Sequence, residues 1–261
     1  MNPFEHLQHE VQVLLRTVAS GSLYDPITTY TPYIILILLL VLVVVFAAKS
    51  QLALVPKNRF VGAIEFLVDF VQKEIGYGVL GESARQHIPF FLTLFIFILF
   101  SNLVGLIPGS KAATGTMGTT VTLAVISFVY FTFHGIKKQG GLHYLLSFAP
   151  KGIKPAPLAV LIWVLEFISS LMRILTLSIR LFANMFAGHI LIGILAILTT
   201  LFIEPLIQTL SLAAVPLSLA GIGWLILLVV LYALEVFVAC VQAYVFTLLS
   251  SIYVYLATSE H

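Results

Sequence analysis

Hydrophobic runs long enough to cross a bilayer alternate along this chain with polar connectors that carry most of its charge. About 20 apolar residues cross a hydrocarbon core of about 30 Å. By this measure we predict spans at 32–48, 88–107 and 119–136. Between the first two, the stretch 59–76 places apolar residues on one helical stripe and charged residues elsewhere, which is typical of a helix on the membrane surface.

The next apolar segment is much longer than one crossing. No proline occurs within 158–204, and at 1.5 Å per residue a continuous helix over that range would be about 70 Å long. The segment therefore either turns back near Gly188 or Gly193 or forms one very tilted helix.

Pro205 and Pro216 are predicted to mark a turn before a second long segment, about 217–257. We thus expect an all-α integral membrane protein of about five to six helices, with 158–257 forming a long, strongly tilted hairpin. A polar tail, 1–31, precedes the first span, and the chain forms a single polytopic membrane domain.

Composition supports this class and excludes others. The chain is 60% hydrophobic and 9% charged, with a net charge of +2, so it has neither the composition of a soluble domain nor the basic surface of a nucleic-acid-binding protein. Cys240 is the lone cysteine, which excludes an intrachain disulfide and a cysteine-based metal site. We find no metalloprotease, serine-hydrolase or phosphate-loop motif, and expect no cofactor and no catalysis by this chain alone.

Basic residues orient the spans. The connector 49–87 contains five Lys or Arg and the connector 137–157 contains four, whereas the loop between them holds only Lys111 and the N-terminal tail only Arg16. Since basic connectors remain inside, we place the N-terminus outside. The tail is too long and too acidic for a signal peptide, so we expect the first span to be retained.

Arg180 is the most informative single residue. It lies in an apolar tract and is the last Lys or Arg of the chain. A charge inside the bilayer costs about 2.5–3.5 kcal/mol on insertion scales and usually faces protein or water. Arginine does not release its proton, so it can attract a carboxylate but cannot carry protons. This favours an electrostatic gate; the alternative is a structural ion pair with Glu166 or Glu235.

Other polar residues share helical faces with this arginine. Glu166, Arg173 and Arg180 are spaced by seven, and Asn184 and Gly188 continue the stripe at intervals of four.

On the last segment Glu235 and Gln242 are also seven apart. Small residues near Arg180, namely Ala183, Ala187 and Gly188, permit close approach of a second helix.

The segment 178–189 resembles the signature of subunit a of the F-type ATP synthase, also called subunit 6. The resemblance extends to Ser-Asn-Leu at 101–103, to Glu166 fourteen residues before Arg180, and to Gln-Ala-Tyr-Val-Phe at 242–246. It covers essentially the whole chain in matching order.

The resemblance implies a proton-conducting stator that offers two offset half-channels to a ring of c subunits, so that proton flow drives rotation and ATP synthesis. Arg180 would face the ring carboxylate and separate the half-channels. The outer half-channel is assigned Glu235, His189, Asn184 and Gln242. Glu166 is assigned to the inner half-channel, and Asn102 is a further candidate for lining the path.

The same resemblance implies a hetero-oligomer with the c-ring, which the long hairpin would lie beside, with subunit b of the peripheral stalk, and with further synthase subunits. We expect the stalk to contact 59–76 and the first spans. The chain would be a multi-pass protein of the bacterial plasma membrane, with the mitochondrial inner membrane as the alternative. Membrane lipid and protons are the other expected partners.

The chain departs from a common bacterial pattern at two sites. His189 and Glu235 look like an exchanged pair, so we expect them to be neighbours. Gly105 occupies a position where some relatives have Asp, which implies that this carboxylate is dispensable or replaced here.

Purely structural roles for these residues, and one rival function, are the alternatives. His189 could be a core histidine, Glu166 could only favour a helix dipole, and three amides could simply join helices through hydrogen bonds, namely Asn102, Asn184 and Gln242. The rival function is a secondary proton or ion transporter, which would normally show internal repeats.

Overall fold

The computed structural model describes residues 8–13, 30–50, 59–107, 109–140, 156–209 and 215–259. Within these ranges every regular element is helical and no strand occurs, so the all-α prediction is confirmed. Most of the predicted outer tail, 1–31, and most of the basic connector 137–157 lie outside the described residues.

Among the described residues, six α-helices of more than one turn follow the stretch 8–13. They are α1 (Thr31–Ser50), α2 (Arg59–Phe70), α3 (Ile88–Gly105), α4 (Met117–Gln139), α5 (Ala156–Thr209) and α6 (Val215–Thr258). Among the described residues four are long and apolar enough to cross a membrane, namely α3, α4, α5 and α6. Helix α1 contributes a shorter apolar stretch, Thr31–Val43.

Helix α4 has recognisable signals at both ends. Thr116 precedes it, and the Thr116 hydroxyl accepts a hydrogen bond from the backbone N–H of Thr119, as N-cap residues do. Gly140 follows it with φ of 85°, a conformation that favours glycine. The predicted span 119–136 lies inside these bounds.

Helix α5 is continuous for 54 residues. It does not turn back at Gly188 or Gly193, so the single-helix alternative is the observed one. At 1.5 Å per residue it is about 80 Å long, more than twice the thickness of a hydrocarbon core, and it must therefore run obliquely through a membrane. Helix α5 ends at Thr209 and α6 begins at Val215, so the break between them falls between Pro205 and Pro216, as predicted, and Pro205 itself lies near the end of α5. A proline removes one intrahelical hydrogen bond, which the last turn of a long helix can lose.

The amphipathic segment 59–76 begins as α2 and continues into a π-helix, Val71–Tyr77. Its second half is packed on the core, since Val71 and Ile75 are fully buried. The Ser251 hydroxyl of α6 donates to the Ile75 carbonyl oxygen at 2.9 Å. The second half of the segment is thus packed on the core and bonded to α6, and the surface position of its first half stays a prediction.

Helix α6 contacts α3, α4 and α5, and α4 also contacts α5. Ser127 of α4 donates to Ser250 of α6 at 2.8 Å, and Gln139 Nε2 donates to the Ala257 carbonyl oxygen at 3.2 Å. The fully buried Phe91 and Ile98 of α3 and Phe246 of α6 fill the core. The position of α6 is therefore fixed by several neighbours at once.

A buried imidazole stands at the start of α3. His87 is 1% exposed, and its Nδ1 is hydrogen-bonded to the Tyr130 hydroxyl at 2.9 Å. The ring of His134 lies edge-on with its centroid 4.7 Å away. Burial, reinforced by the nearby His134, lowers the pKa of His87 from 6.5 to about 4. His87 is therefore neutral near physiological pH.

Candidate functional site

Helices α5 and α6 form an antiparallel pair with a constant register. Three close contacts define this register. Because the two helices run in opposite directions, the two residue numbers of each contacting pair should add up to a nearly constant value, and here they add up to between 423 and 426. The pairs are Arg173 with Tyr253, Gly188 with Glu235, and Ile203 with Gly221. Residues of α5 and α6 whose numbers add up to about 424 therefore lie at the same level of the pair.

Glu235 occupies space that only a glycine leaves free. A Cβ atom added at Gly188 would lie 2.6 Å from the Glu235 carboxyl carbon, far inside van der Waals contact. Glu235 is 6% exposed, and in the described part of the chain no hydrogen bond or ion pair involves its carboxyl group. A carboxyl group is thus held between two apolar helices.

His189, the residue after Gly188, is half-buried. No ion pair within 4.0 Å joins it to Glu235, so the expectation that the two side chains are neighbours stays a prediction.

Two amide nitrogens near this level lack hydrogen-bond partners in the part of the chain that the structure describes. The Nδ2 atom of Asn184 and the Nε2 atom of Gln242 are buried, and neither has a hydrogen-bond partner. A buried polar group without a partner costs about 1–3 kcal/mol, and native proteins keep few of them. The interpretation that these two amides join helices through hydrogen bonds lacks support from this geometry.

Asn102 behaves differently. Its Nδ2 donates to the Ala239 carbonyl oxygen of α6 at 3.4 Å, and its Oδ1 accepts from the Thr114 hydroxyl at 2.6 Å. All three residues are fully buried. Asn102 thus makes a helix-to-helix bond, and Thr114 belongs to the same cluster. Sequence reasoning missed Thr114, because a threonine in a polar loop shows no distinguishing pattern.

Arg180 is exposed on the surface of the chain. Among the described residues it makes no ion pair and no hydrogen bond. Both carboxylates considered as structural partners are placed elsewhere, since Glu166 contacts Arg173 and Glu235 lies against Gly188. The structure therefore gives no support to the structural ion-pair alternative.

A second polar group, formed by Glu166 and Arg173, lies between Arg180 and the start of α5. Arg173 Nη2 is 3.7 Å from Glu166 Oε1, and the Arg173 guanidinium lies 5.4 Å from the centroid of the Tyr253 ring. Both side chains of the ion pair are partly exposed, at 30% for Arg173 and 49% for Glu166. Arg173 thus links the start of α5 to the end of α6.

Gly105, at the end of α3, leaves no room for a side chain. A Cβ atom added there would lie 2.7 Å from the Cα atom of Ala112. The loop after α3 is therefore packed directly on the helix backbone. Among the described residues, no group of three or more His, Cys, Asp or Glu side chains could hold a metal ion.

Together the helices and polar groups define a multi-pass helical membrane protein whose longest helix pair carries ionisable side chains in apolar surroundings. Residues 31–255 match the family model described as ATP synthase A chain. This chain belongs to that family, and the family predicted from the signature around Arg180 is confirmed.

Individual relatives agree. The chain is 36% identical to ATP synthase subunit a of Rubrobacter xylanophilus over 195 residues, which are 74% of this chain and 70% of that protein. It is 39% identical to ATP synthase subunit a of Nocardioides sp. over 213 residues, 80% of this chain and 74% of that protein. A third relative, ATP synthase subunit a of Chlorobium phaeobacteroides, is 36% identical over 78% of this chain, which spans 56% of that protein.

Proposed function

We propose that this chain is the proton-conducting stator subunit in the membrane sector of an F-type ATP synthase. It offers two offset half-channels to a c-ring, so that proton flow drives rotation and ATP synthesis, and it is not catalytic by itself. The observation that carries the proposal is Arg180, an exposed guanidinium that makes no ion pair with any described residue and lies between two polar groups on one helix pair.

A guanidinium that has no partner among the described residues and lies on an apolar helix face needs an anionic partner from another subunit. Inside a bilayer such a charge is stabilised by a carboxylate or by water. A ring carboxyl group in lipid is kept protonated by desolvation, whereas beside Arg180 its ionised form is favoured. Since arginine does not release its own proton, Arg180 displaces the proton of the ring carboxyl group and stays charged.

The outer half-channel is assigned to the groups around the Gly188 level. Glu235 supplies a carboxyl group in apolar surroundings and His189 supplies an imidazole, which is suited to proton exchange near neutral pH. The unpartnered amides of Asn184 and Gln242 supply hydrogen-bond donors for a polar path. Asn102, whose Nδ2 donates to the Ala239 carbonyl oxygen of α6, is a further candidate for lining this path.

The inner half-channel is assigned to Glu166, which is half-exposed at the other end of the pair. Along α5, Gly188 is about 12 Å from Arg180 on one side and Arg173 about 10 Å on the other, at 1.5 Å per residue. The two polar groups are therefore separated by the guanidinium. A proton crossing 100 mV releases about 2.3 kcal/mol, and with two separate half-channels this free energy is available only through ring rotation.

The assembly follows from this role. The c-ring would contact the Arg180 face, subunit b would contact α1 and α2, and the chain would function in a hetero-oligomer of synthase subunits. Relatives from bacteria support a location in the bacterial plasma membrane.

The test is ATP-driven proton pumping by inverted vesicles that contain the whole complex with Arg180→Gln. We expect pumping to be lost while the c-ring still copurifies. The matched control is Lys73→Gln, which removes another cation, from an exposed ion pair with Asp69 outside the helix pair, and should pump normally. Pumping by an assembled Arg180→Gln complex would overturn the proposal and favour a secondary transporter.

A further inference from the structure

A short 3-10 turn, Ala113–Gly115, connects α3 to α4 and lies where several helices meet. Its three residues are buried, and it contacts α1, α3, α4 and α5. The residue before it, Ala112, is packed against Gly105, which fixes the turn on the end of α3. The turn is thus a fixed point on the predicted outer side of the molecule.

A hydrogen-bonded chain runs from this turn into the core. The Ser101 hydroxyl donates to Thr114 Oγ1 at 3.3 Å, and the Thr114 hydroxyl donates to Asn102 Oδ1 at 2.6 Å. The Thr114 backbone N–H donates in turn to Ser101 Oγ at 3.0 Å. All three side chains are 0% exposed. No solvent competes for these bonds.

The direction of every bond in the chain is determined. The Ala239 carbonyl oxygen can only accept, so Asn102 must turn its Nδ2 toward α6. Its Oδ1 then faces Thr114 and can only accept, so Thr114 must donate. The Ala239 carbonyl oxygen therefore sets the orientation of the Asn102 amide, and the Thr114 hydroxyl holds the amide in that orientation from the other side through the shorter bond.

The point at which α6 is held matters for the path assigned above. Ala239 is four residues after Glu235 and three residues before Gln242, so the three lie on neighbouring positions of one helical surface. Glu235 and Gln242 are both buried, at 6% and 7% exposed. A bond at Ala239 thus acts on the helix between the two side chains assigned to the outer half-channel.

We propose that Thr114 is a positioning residue of the outer half-channel, which through Asn102 holds α6 where Glu235 meets Gly188. The inference rests on the proposed function. Without the Thr114 hydroxyl, Asn102 Oδ1 loses its donor, and the amide is held only by its 3.4 Å bond to the Ala239 carbonyl oxygen. The Glu235 carboxyl group then loses its fixed position.

The test compares Thr114→Val with Thr114→Ser in the whole complex. Valine keeps the shape of threonine and removes the hydroxyl group, whereas serine keeps the hydroxyl group. The matched control is Thr120→Val, because Thr120 is also 0% exposed but donates only to the Met117 carbonyl oxygen within its own helix. The readouts are c-ring copurification, ATP-driven pumping, and the dependence of pumping on the pH at the outer side.

For Thr114→Val we expect pumping to fall about three- to tenfold, the range for one lost interhelical hydrogen bond. Its dependence on outer pH should shift, because a misplaced proton-exchanging group changes the profile, whereas a smaller amount of folded complex lowers pumping equally at every pH. Thr114→Ser and Thr120→Val should retain wild-type pumping and the wild-type profile.

Three results would overturn the inference: wild-type pumping by Thr114→Val, an equal loss in Thr120→Val, or failure of Thr114→Val to assemble while Thr114→Ser assembles. The last result would assign Thr114 to folding. The Arg180→Gln complex, measured alongside, separates the two proposals. If it loses pumping while Thr114→Val does not, only the role of Thr114 is refuted.

Discussion

The carboxyl group of Glu235 lies directly against the Cα atom of Gly188, in space that any side chain at position 188 would occupy. This relationship joins two features that were separate in the sequence, a glycine in the signature around Arg180 and a carboxylate near the end of the chain. The glycine is required here for its missing side chain, since its backbone is ordinary helix.

Gly188→Ala should displace the Glu235 carboxyl group. An added methyl group in a packed site typically costs about 1–3 kcal/mol, and we expect pumping to fall at least about fivefold on this scale. The measurement is ATP-driven pumping by the assembled complex. Gly223→Ala is the control, because a Cβ atom there meets nothing within 4 Å. Equal pumping by both variants would contradict the prediction.

Glu166→Gln should leave assembly unchanged. It removes the ion pair with Arg173, but partly exposed pairs are worth about 0–1 kcal/mol. If Glu166 serves the inner half-channel, pumping should nevertheless fall severalfold. Asp69→Asn, which breaks the exposed Lys73 pair, is the control and should preserve both properties. Copurification of the c-ring gives assembly, and unchanged pumping in Glu166→Gln would remove this residue from the proposed path.

Gly105→Asp should destabilise the protein. The new side chain would collide with the Ala112 backbone, and overpacking of this kind costs about 1–3 kcal/mol or more. We expect a lower thermal midpoint of the purified complex. Gly118→Asp serves as the control, since position 118 opens to free space. An unchanged midpoint for Gly105→Asp would show that the loop after α3 moves aside easily.

His87 should make stability depend on pH. Burial and His134 lower its pKa to about 4, below the ordinary 6.5, so between these values the unfolded chain binds a proton that the folded chain does not. Stability therefore falls as the pH drops from about 6.5 toward about 4, by a total of about 3 kcal/mol. Above about pH 6.5 this contribution is constant.

The measurement is the thermal midpoint of the complex at about pH 7.5 and about pH 5. His87→Gln should reduce the difference between the two midpoints. His9→Gln, at an exposed position, should leave it unchanged. A His87→Gln complex with the same pH dependence as the wild type would refute the assignment of this effect to His87.

The helices were largely predictable, because the length of each apolar run and the spacing of its apolar residues can be read from the sequence. The stripe of Glu166, Arg173 and Arg180 on one helix could be predicted from the spacing, but not the partner of each charge. Gly188 and Glu235 are 47 residues apart, and their contact depends on the register of α5 against α6, which no local pattern determines. Pro205 and Pro216 bracket the break between α5 and α6, but they do not show at which residue α5 ends, because a proline can lie near the end of a helix without ending it at once.

The unbroken course of α5 has a mechanical consequence. A lateral force that a partner applies at Arg180 acts on a rigid helix, because α5 is continuous between Arg180 and Gly188. The load passes to α6, which Gly188 and Gly221 bring into close contact with α5 at two levels. Two helices braced in this way bend less than one, so the distance between the guanidinium and the Glu235 carboxyl group is preserved under lateral force.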